Sequence, residues 1–260
     1  MVISVEEILP LIVFTTCGGI AAGAYGMSAL GLLCGEKPAE ADKRGWLFPL
    51  VCIVLLGVGL LATLMHLGQP LRFVNGMANP ASMISQESYW AIAFGVVMVI
   101  DLVVAKLKGQ AMAAVRWIGA LVGFGLMVVT GLAYYDCVFL PAWATAVTIP
   151  LFIVGDLLMG AGLVLLFERA EMPRTLHAFT VMAALAWVAV AVGYAVYLMG
   201  LGMSAGLVFA SIVVAVVAGA VSACVLAGKM PAATAKIAVL VLAVVAVVLA
   251  RWAFFAAGVL

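Results

Sequence analysis

Residues 205–227 read AGLVFASIVVAVVAGAVSACVLA, a stretch with no charged side chain and long enough to cross a bilayer core as one α-helix, which takes about 20 residues. Seven further runs of the same character lie outward from it, near residues 8–34, 46–66, 88–105, 115–135, 147–167, 178–199 and 236–257. The composition agrees: 68% apolar residues, 9% charged residues and a mean hydropathy of +1.35 lie far outside soluble usage. The expected fold is all-α and integral to the membrane, a bundle of eight transmembrane helices forming a single membrane domain over residues 1–260. The runs use nearly the whole chain, so no second, water-soluble domain is expected, and soluble chemistry falls to a partner. The first run follows Glu6 and Glu7 rather than Lys or Arg and is too long for a secretory signal, so it is expected to be retained as a helix.

The basic residues orient the bundle, because Lys and Arg near helix ends favour the cytoplasm. Lys37, Lys43 and Arg44, then Lys106, Lys108 and Arg116, then Arg169 and Arg174, then Lys229 and Lys236 fall in alternate connections and share one side. Arg72 and Arg251 are the exceptions. The other side, here called outer and expected to be periplasmic, then holds both termini, the connection from Leu67 to Glu87, the segment from Asp136 to Ala146 and the turn from Gly200 to Ser204. Small residues four apart, Gly19 with Gly23, Ala22 with Gly26 and Gly119 with Gly123, mark faces where helices approach closely in lipid. No repeat is evident in the composition, though two four-helix halves remain open.

Ligand counting bounds the redox chemistry. Cys17, Cys34, Cys52, Cys137 and Cys224 are scattered, with no C-x-x-C pair and no iron-sulfur ligand run. Only two histidines are present, His66 at the outer end of the second run and His177 at the inner end of the sixth, a membrane thickness apart. A bis-histidine haem within this chain, and any other metal site, is therefore not expected.

Polar residues converge instead on the outer connection, where His66-Leu67-Gly68-Gln69-Pro70-Leu71-Arg72-Phe73-Val74-Asn75 leads to Ser85-Gln86-Glu87-Ser88-Tyr89-Trp90. An imidazole that titrates near neutral pH, with a carboxylate and a guanidinium at the edge of an apolar bundle, suits binding of an amphipathic hydroquinone and acceptance of its protons. The plainer alternatives are a histidine at a helix C-terminus, a glutamate in a first turn and an arginine on lipid phosphate.

These residues resemble the DmsC type of membrane anchor subunit of dimethyl sulfoxide reductase and related molybdenum enzymes, within the wider NrfD-like anchors. The likeness is carried by His66-Leu67-Gly68-Gln69-Pro70-Leu71-Arg72-x-x-Asn75, by Ser85-x-Glu87, and by Ala250-Arg251-Trp252-Ala253-Phe254-Phe255. It implies a haem-free, multi-pass subunit of the cell inner (cytoplasmic) membrane. Such a subunit anchors an iron-sulfur electron-transfer subunit and a molybdopterin catalytic subunit on the outer side. It also implies oxidation of menaquinol for anaerobic respiration, with quinol binding at His66 and Glu87. Iron-sulfur clusters and molybdopterin would belong to the partners alone, and no nucleic acid is expected to bind.

Arg251 lies some six residues inside the last run, roughly 9 Å deep at 1.5 Å per residue. Turned inward it needs a partner, and Glu87 and Asp136 are the candidates on that side. Asp156 is deeper still and is left as protonated, hydrogen-bonded or part of a proton route. Asp101 is expected to be hydrated and structural. Tyr134, Tyr135, Trp143, Tyr89 and Trp90 suit an outer aromatic belt, with Tyr135 the one singled out for the quinol site because it adjoins Asp136. Arg72 or Arg251 would steady negative charge there, including ionised Glu87. Two other readings stay open: a purely structural anchor without quinol chemistry, and a secondary transporter using Asp156. Against the transporter, Pro10, Pro49, Pro141, Pro150 and Pro231 fall near run ends or in connections rather than breaking helices in mid-membrane.

Overall fold

A computed structural model of the protein describes residues 5–34, 45–66, 73–109, 111–167 and 174–258. Among them the elements are α1 (Val5–Leu33), α2 (Leu47–His66), the single turn α3 (Phe73–Gly76), α4 (Met83–Lys108), α5 (Ala113–Tyr135), α6 (Thr148–Phe167), α7 (Arg174–Gly200), α8 (Gly206–Leu226) and α9 (Ala232–Ala257), with no strand. All but α3 contain a stretch long and apolar enough to cross a membrane, eight in total. Lipid offers backbone N–H and C=O groups no partners, so helices that satisfy their own are the stable answer to such runs. Several helices outrun the apolar stretches, α4 at both ends, so Glu87 sits one turn inside α4 rather than at its opening. Gly109 closes α4 in the left-handed region at φ 69°, which a residue without a Cβ adopts freely. Pro49 and Pro150 occupy first turns, where no intrahelical N–H bond is lost, and Pro231 caps α9. Pro10 lies within α1, in its second turn.

The helices close into two rings. α1 packs on α2 and α5, with α4 bridging α2 and α5; α6 packs on α7 and α9, with α8 bridging those two. The rings share this order of contacts and meet chiefly where α1 lies on α6. These two helices have 72% and 67% of their apolar windows buried, against at most 44% for the other spans, so they form the axis of the molecule. Glycine makes the seam possible. A Cβ on Gly23 would strike the backbone of Asp156, and one on Gly160 would strike the backbone of Gly23. The spaced small residues of α1 and α5 serve the same end, since Gly119 faces the Tyr25 ring and a Cβ on Gly123 would lie 3.2 Å from the Ala22 Cα.

Lys106, Lys108, Arg116, Arg174, Lys229 and Lys236 all fall where α4, α5, α7, α8 and α9 meet their connections at one end of the bundle. Arg174 donates to the Leu226 carbonyl there at 3.1 Å. Asp101, near that end, is not hydrated as expected: it is fully buried, with Arg116 Nε 2.7 Å from its Oδ2 and the Tyr25 hydroxyl donating to the same oxygen at 2.7 Å.

Candidate functional site

At the opposite end, the short segment after α3 is stitched over the start of α4. The Ser85 hydroxyl donates to the Gly76 carbonyl at 2.7 Å, Gln86 Nε2 donates to the Pro80 carbonyl at 2.7 Å, and the Tyr89 hydroxyl donates to the Met77 carbonyl at 2.5 Å. These bonds explain the polar spacing around Ser85-x-Glu87. Its serine fastens the connection and leaves the glutamate free to face the bundle. Glu87 lies within hydrogen-bonding reach of Thr130 of α5 and within electrostatic reach of Tyr134 and Cys137. Its Oε1 is buried and has no hydrogen-bond partner among the described residues. An acceptor withdrawn from water in this way costs roughly 1–3 kcal/mol unless a donor arrives.

Tyr134 forms the wall beside Glu87. It is buried, stacks on Phe152 at 5.2 Å between ring centroids, and meets Trp143, Phe254 and Phe255 edge-on. Trp143 Nε1 donates to the Phe254 carbonyl at 2.7 Å, fixing the connection before α6 to the end of α9. Tyr134 is thus an interior group rather than a member of an aromatic belt, and Trp143 is half-buried against it. Tyr135, one residue on, is 39% exposed and makes no described contact with Glu87, Asp156 or Arg251.

Arg251 turns inward, 2% exposed, and its partner is neither Glu87 nor Asp136. It pairs with Asp156, which is equally buried, and its guanidinium lies over the Phe152 ring at 5.3 Å. The cause is simple. Asp136 follows the end of α5 and is exposed, whereas the faces of α6 and α9 that pack together bring Asp156 to Arg251. The pairing also answers the open question about Asp156, whose carboxylate faces a cation in an otherwise apolar interior. Such a pair needs both members, since either alone would be an uncompensated buried charge. Arg251 also lies within electrostatic reach of Tyr134 and Cys17, so Tyr134 is near both the Glu87 carboxyl and the Arg251 charge.

The other expected site residues fall at the margin of the structure. His66 closes α2, but its side chain lies outside what is described, and Arg72 lies outside the described residues. The second histidine, His177 in the first turn of α7, is fully buried, with Nδ1 3.2 Å from the Ser222 hydroxyl. Among the described residues no three His, Cys, Asp or Glu side chains converge as a metal ion would require.

The DMSO reductase anchor subunit (DmsC) family matches this protein over residues 3–256. The chain belongs to that family. Among relatives it is similar to the C subunit of the anaerobic dimethyl sulfoxide reductase of Escherichia coli (strain K12), 37% identical over 100 residues that make up 38% of this protein and 35% of the relative. It is similar also to the C subunit of the Haemophilus influenzae anaerobic dimethyl sulfoxide reductase, 29% identical over 153 residues, or 54% of this protein and 51% of the relative. The aligned stretches span about half or less of the length of these relatives. As a member of this anchor-subunit family the protein is a multi-pass membrane protein. Thr130 is the residue of the cluster that sequence reasoning missed, and Tyr134 is one that it assigned to the aromatic belt. A Glu one turn inside a helix signals only that some partner must exist, and nothing in the sequence says which face of α5 supplies it.

Proposed function

We propose that this protein anchors a molybdenum oxidoreductase complex and is its quinol-oxidising subunit, taking electrons from menaquinol for an iron-sulfur partner that feeds a molybdopterin catalytic subunit. The observation that carries the reading is Glu87 Oε1, a buried carboxyl oxygen with no described donor, placed one turn from the end of the bundle beside Tyr134 and Thr130. A hydroquinone offers what that oxygen lacks, an O–H donor on an apolar ring. Facing aromatic side chains suit such a ring, and the surrounding lipid suits its isoprenoid tail.

In this reading Glu87 accepts a hydrogen bond from one quinol hydroxyl and can take its proton. Thr130 holds the carboxyl in place, and Tyr134 with its aromatic neighbours keeps water out. Arg251, held by Asp156, sets positive charge behind Tyr134 and steadies negative charge that develops at the site. His66, at the end of α2, is the partner expected for the second hydroxyl, with Arg72 in the connection that follows it and Tyr135 at the lipid-facing rim. The bound quinol supplies two electrons and two protons, and no haem is needed in this chain to pass electrons outward.

The ten Lys and Arg that the order of the spans assigns to one side support placing that side in the cytoplasm, with Glu87, both termini and the partner subunits on the outer side of the inner membrane. Protons released at Glu87 would then leave on the same side as the electrons. Turnover in reconstituted vesicles should create no uncoupler-sensitive potential. Purification of the protein in mild detergent, with metal and subunit analysis of what accompanies it, tests the assembly. Iron, molybdenum and two soluble subunits without haem are expected, and a metal-free single species would overturn the reading.

A further inference from the structure

A cleft between α1, α5 and α6 is lined by Thr15, Gly18, Gly19, Met127, Thr130 and Asp156, among others, and has room for about one water molecule. Its polar groups belong to two features already described, since Thr130 lies within reach of Glu87 and Asp156 pairs with Arg251. The Thr15 hydroxyl donates to the Leu11 carbonyl at 2.8 Å and so can only accept towards the cleft, while Thr130 and Asp156 are the groups there that adjoin Glu87 and Arg251.

We propose that the cleft is a water site, and that its water joins the Thr130 hydroxyl to the Asp156 carboxylate, making Thr130 a positioning residue for Glu87. A threonine hydroxyl has one proton and two lone pairs. With that proton given to Glu87, Thr130 can only accept towards the cleft, and a carboxylate paired with Arg251 likewise only accepts. Two acceptors across a space of one molecule call for a double donor, and water is the donor of that size. The same logic disfavours a metal ion, for which two oxygens from a threonine and one carboxylate are too few ligands. The resulting series of contacts runs from Arg251 through Asp156, water and Thr130 to Glu87. It ties the carboxyl near the surface to the ion pair deeper in the bundle and fixes the direction of every hydrogen bond between them. Gly19 keeps the space open on the α1 side, because a Cβ there would meet the Asp156 carboxylate.

The inference rests on Glu87 being the quinol carboxyl for its effect on turnover, but the water itself can be observed without turnover. Thr130→Val keeps the shape and removes the hydroxyl; Thr130→Ser restores it. In infrared spectra of the purified complex, a water O–H band that shifts in H2(18)O is expected in wild type and in Thr130→Ser, and is expected to be lost in Thr130→Val. Thr130→Val should also raise KM for quinol by about two- to tenfold, the worth of one ordinary hydrogen bond, with Thr130→Ser near wild type. An identical band in wild type and Thr130→Val would overturn the water site. An unchanged KM in Thr130→Val, with Glu87→Gln inactive, would overturn the positioning role alone. Quinol turnover that survives Glu87→Gln would instead remove the quinol reading and leave the infrared result to decide the water.

Discussion

Two buried arginine–aspartate pairs sit towards opposite ends of the bundle, one in each ring, and what surrounds them differs. Asp101 and Arg116 sit among aromatic rings: Tyr25 donates to the carboxylate, and the guanidinium lies 4.0 Å from the Phe48 centroid and 5.4 Å from that of Tyr25. This pair pulls together α1, α2, α4 and α5, the whole of the first ring. Around Asp156 and Arg251 the packing is incomplete, because the carboxylate borders a cleft and Arg251 Nη1 is buried with no hydrogen-bond partner among the described residues. Nearby stand Tyr134 and, beyond it, Glu87. Asp101 Oδ1 is likewise buried with no hydrogen-bond partner among the described residues, so what separates the pairs is their surroundings: the first is a staple set among Tyr25 and Phe48. The second pair borders a cleft and stands near Tyr134 and Glu87.

The largest effects should be common to both pairs. Arg116→Ala and Arg251→Ala each strand a buried aspartate and should cost about 3–5 kcal/mol in thermal unfolding of the detergent-solubilised complex. A loss below about 1 kcal/mol at either would mean that water reaches that pair and that it is not part of a sealed ring. The two pairs should separate in the next test. Tyr25→Phe removes a hydrogen bond to a charged group and should cost roughly 1.5–3 kcal/mol of stability, with quinol-driven turnover of the assembled complex unchanged. Loss of turnover in that variant without loss of assembly would make the first pair functional too.

Smaller effects sharpen the boundary of the site. Tyr135→Phe alters an exposed hydroxyl and should stay within about 0.5 kcal/mol in stability, with turnover close to wild type. A large fall in turnover would move the site to the lipid-facing side of α5. Cys137, in the connection after α5, reports on Glu87 from outside the span: burial pushes its thiol pKa up, and the nearby Asp136 and Glu87 charges push it further. Removing one of those charges by Glu87→Gln should lower the thiol pKa, raise the thiolate fraction at a given pH and speed maleimide labelling, by less than about tenfold. Unchanged labelling would mean that Glu87 carries no charge in the resting protein.

The spans were legible because a continuous apolar run of that length has one stable form in lipid, whatever its neighbours. The glycines of α1 and α5 were legible for a similar reason, since close approach in a bilayer requires small residues at fixed spacing. The partner of Arg251 was not. Sequence position gives depth along a helix, which made Glu87 and Asp136 reasonable candidates, but pairing depends on which face each helix turns inward. Tyr134 and Tyr135 show the same limit. Successive residues point about 100° apart on a helix of 3.6 residues per turn, so one lies in the aromatic core and the next faces outward. Asp101 looked wet because it lies two turns from basic residues, and only the fold brings Tyr25 across from α1 to cover it.

The most direct test of quinol chemistry at Glu87 is the rate of quinol-driven reduction by the assembled complex carrying Glu87→Gln, divided by its rate with an artificial donor that feeds the catalytic subunit directly. This ratio is expected to fall by at least about tenfold while the artificial-donor rate stays near wild type, because the proton-accepting carboxyl at the quinol site is lost. A ratio equal to wild type would contradict that role and leave the protein an anchor without quinol chemistry at Glu87.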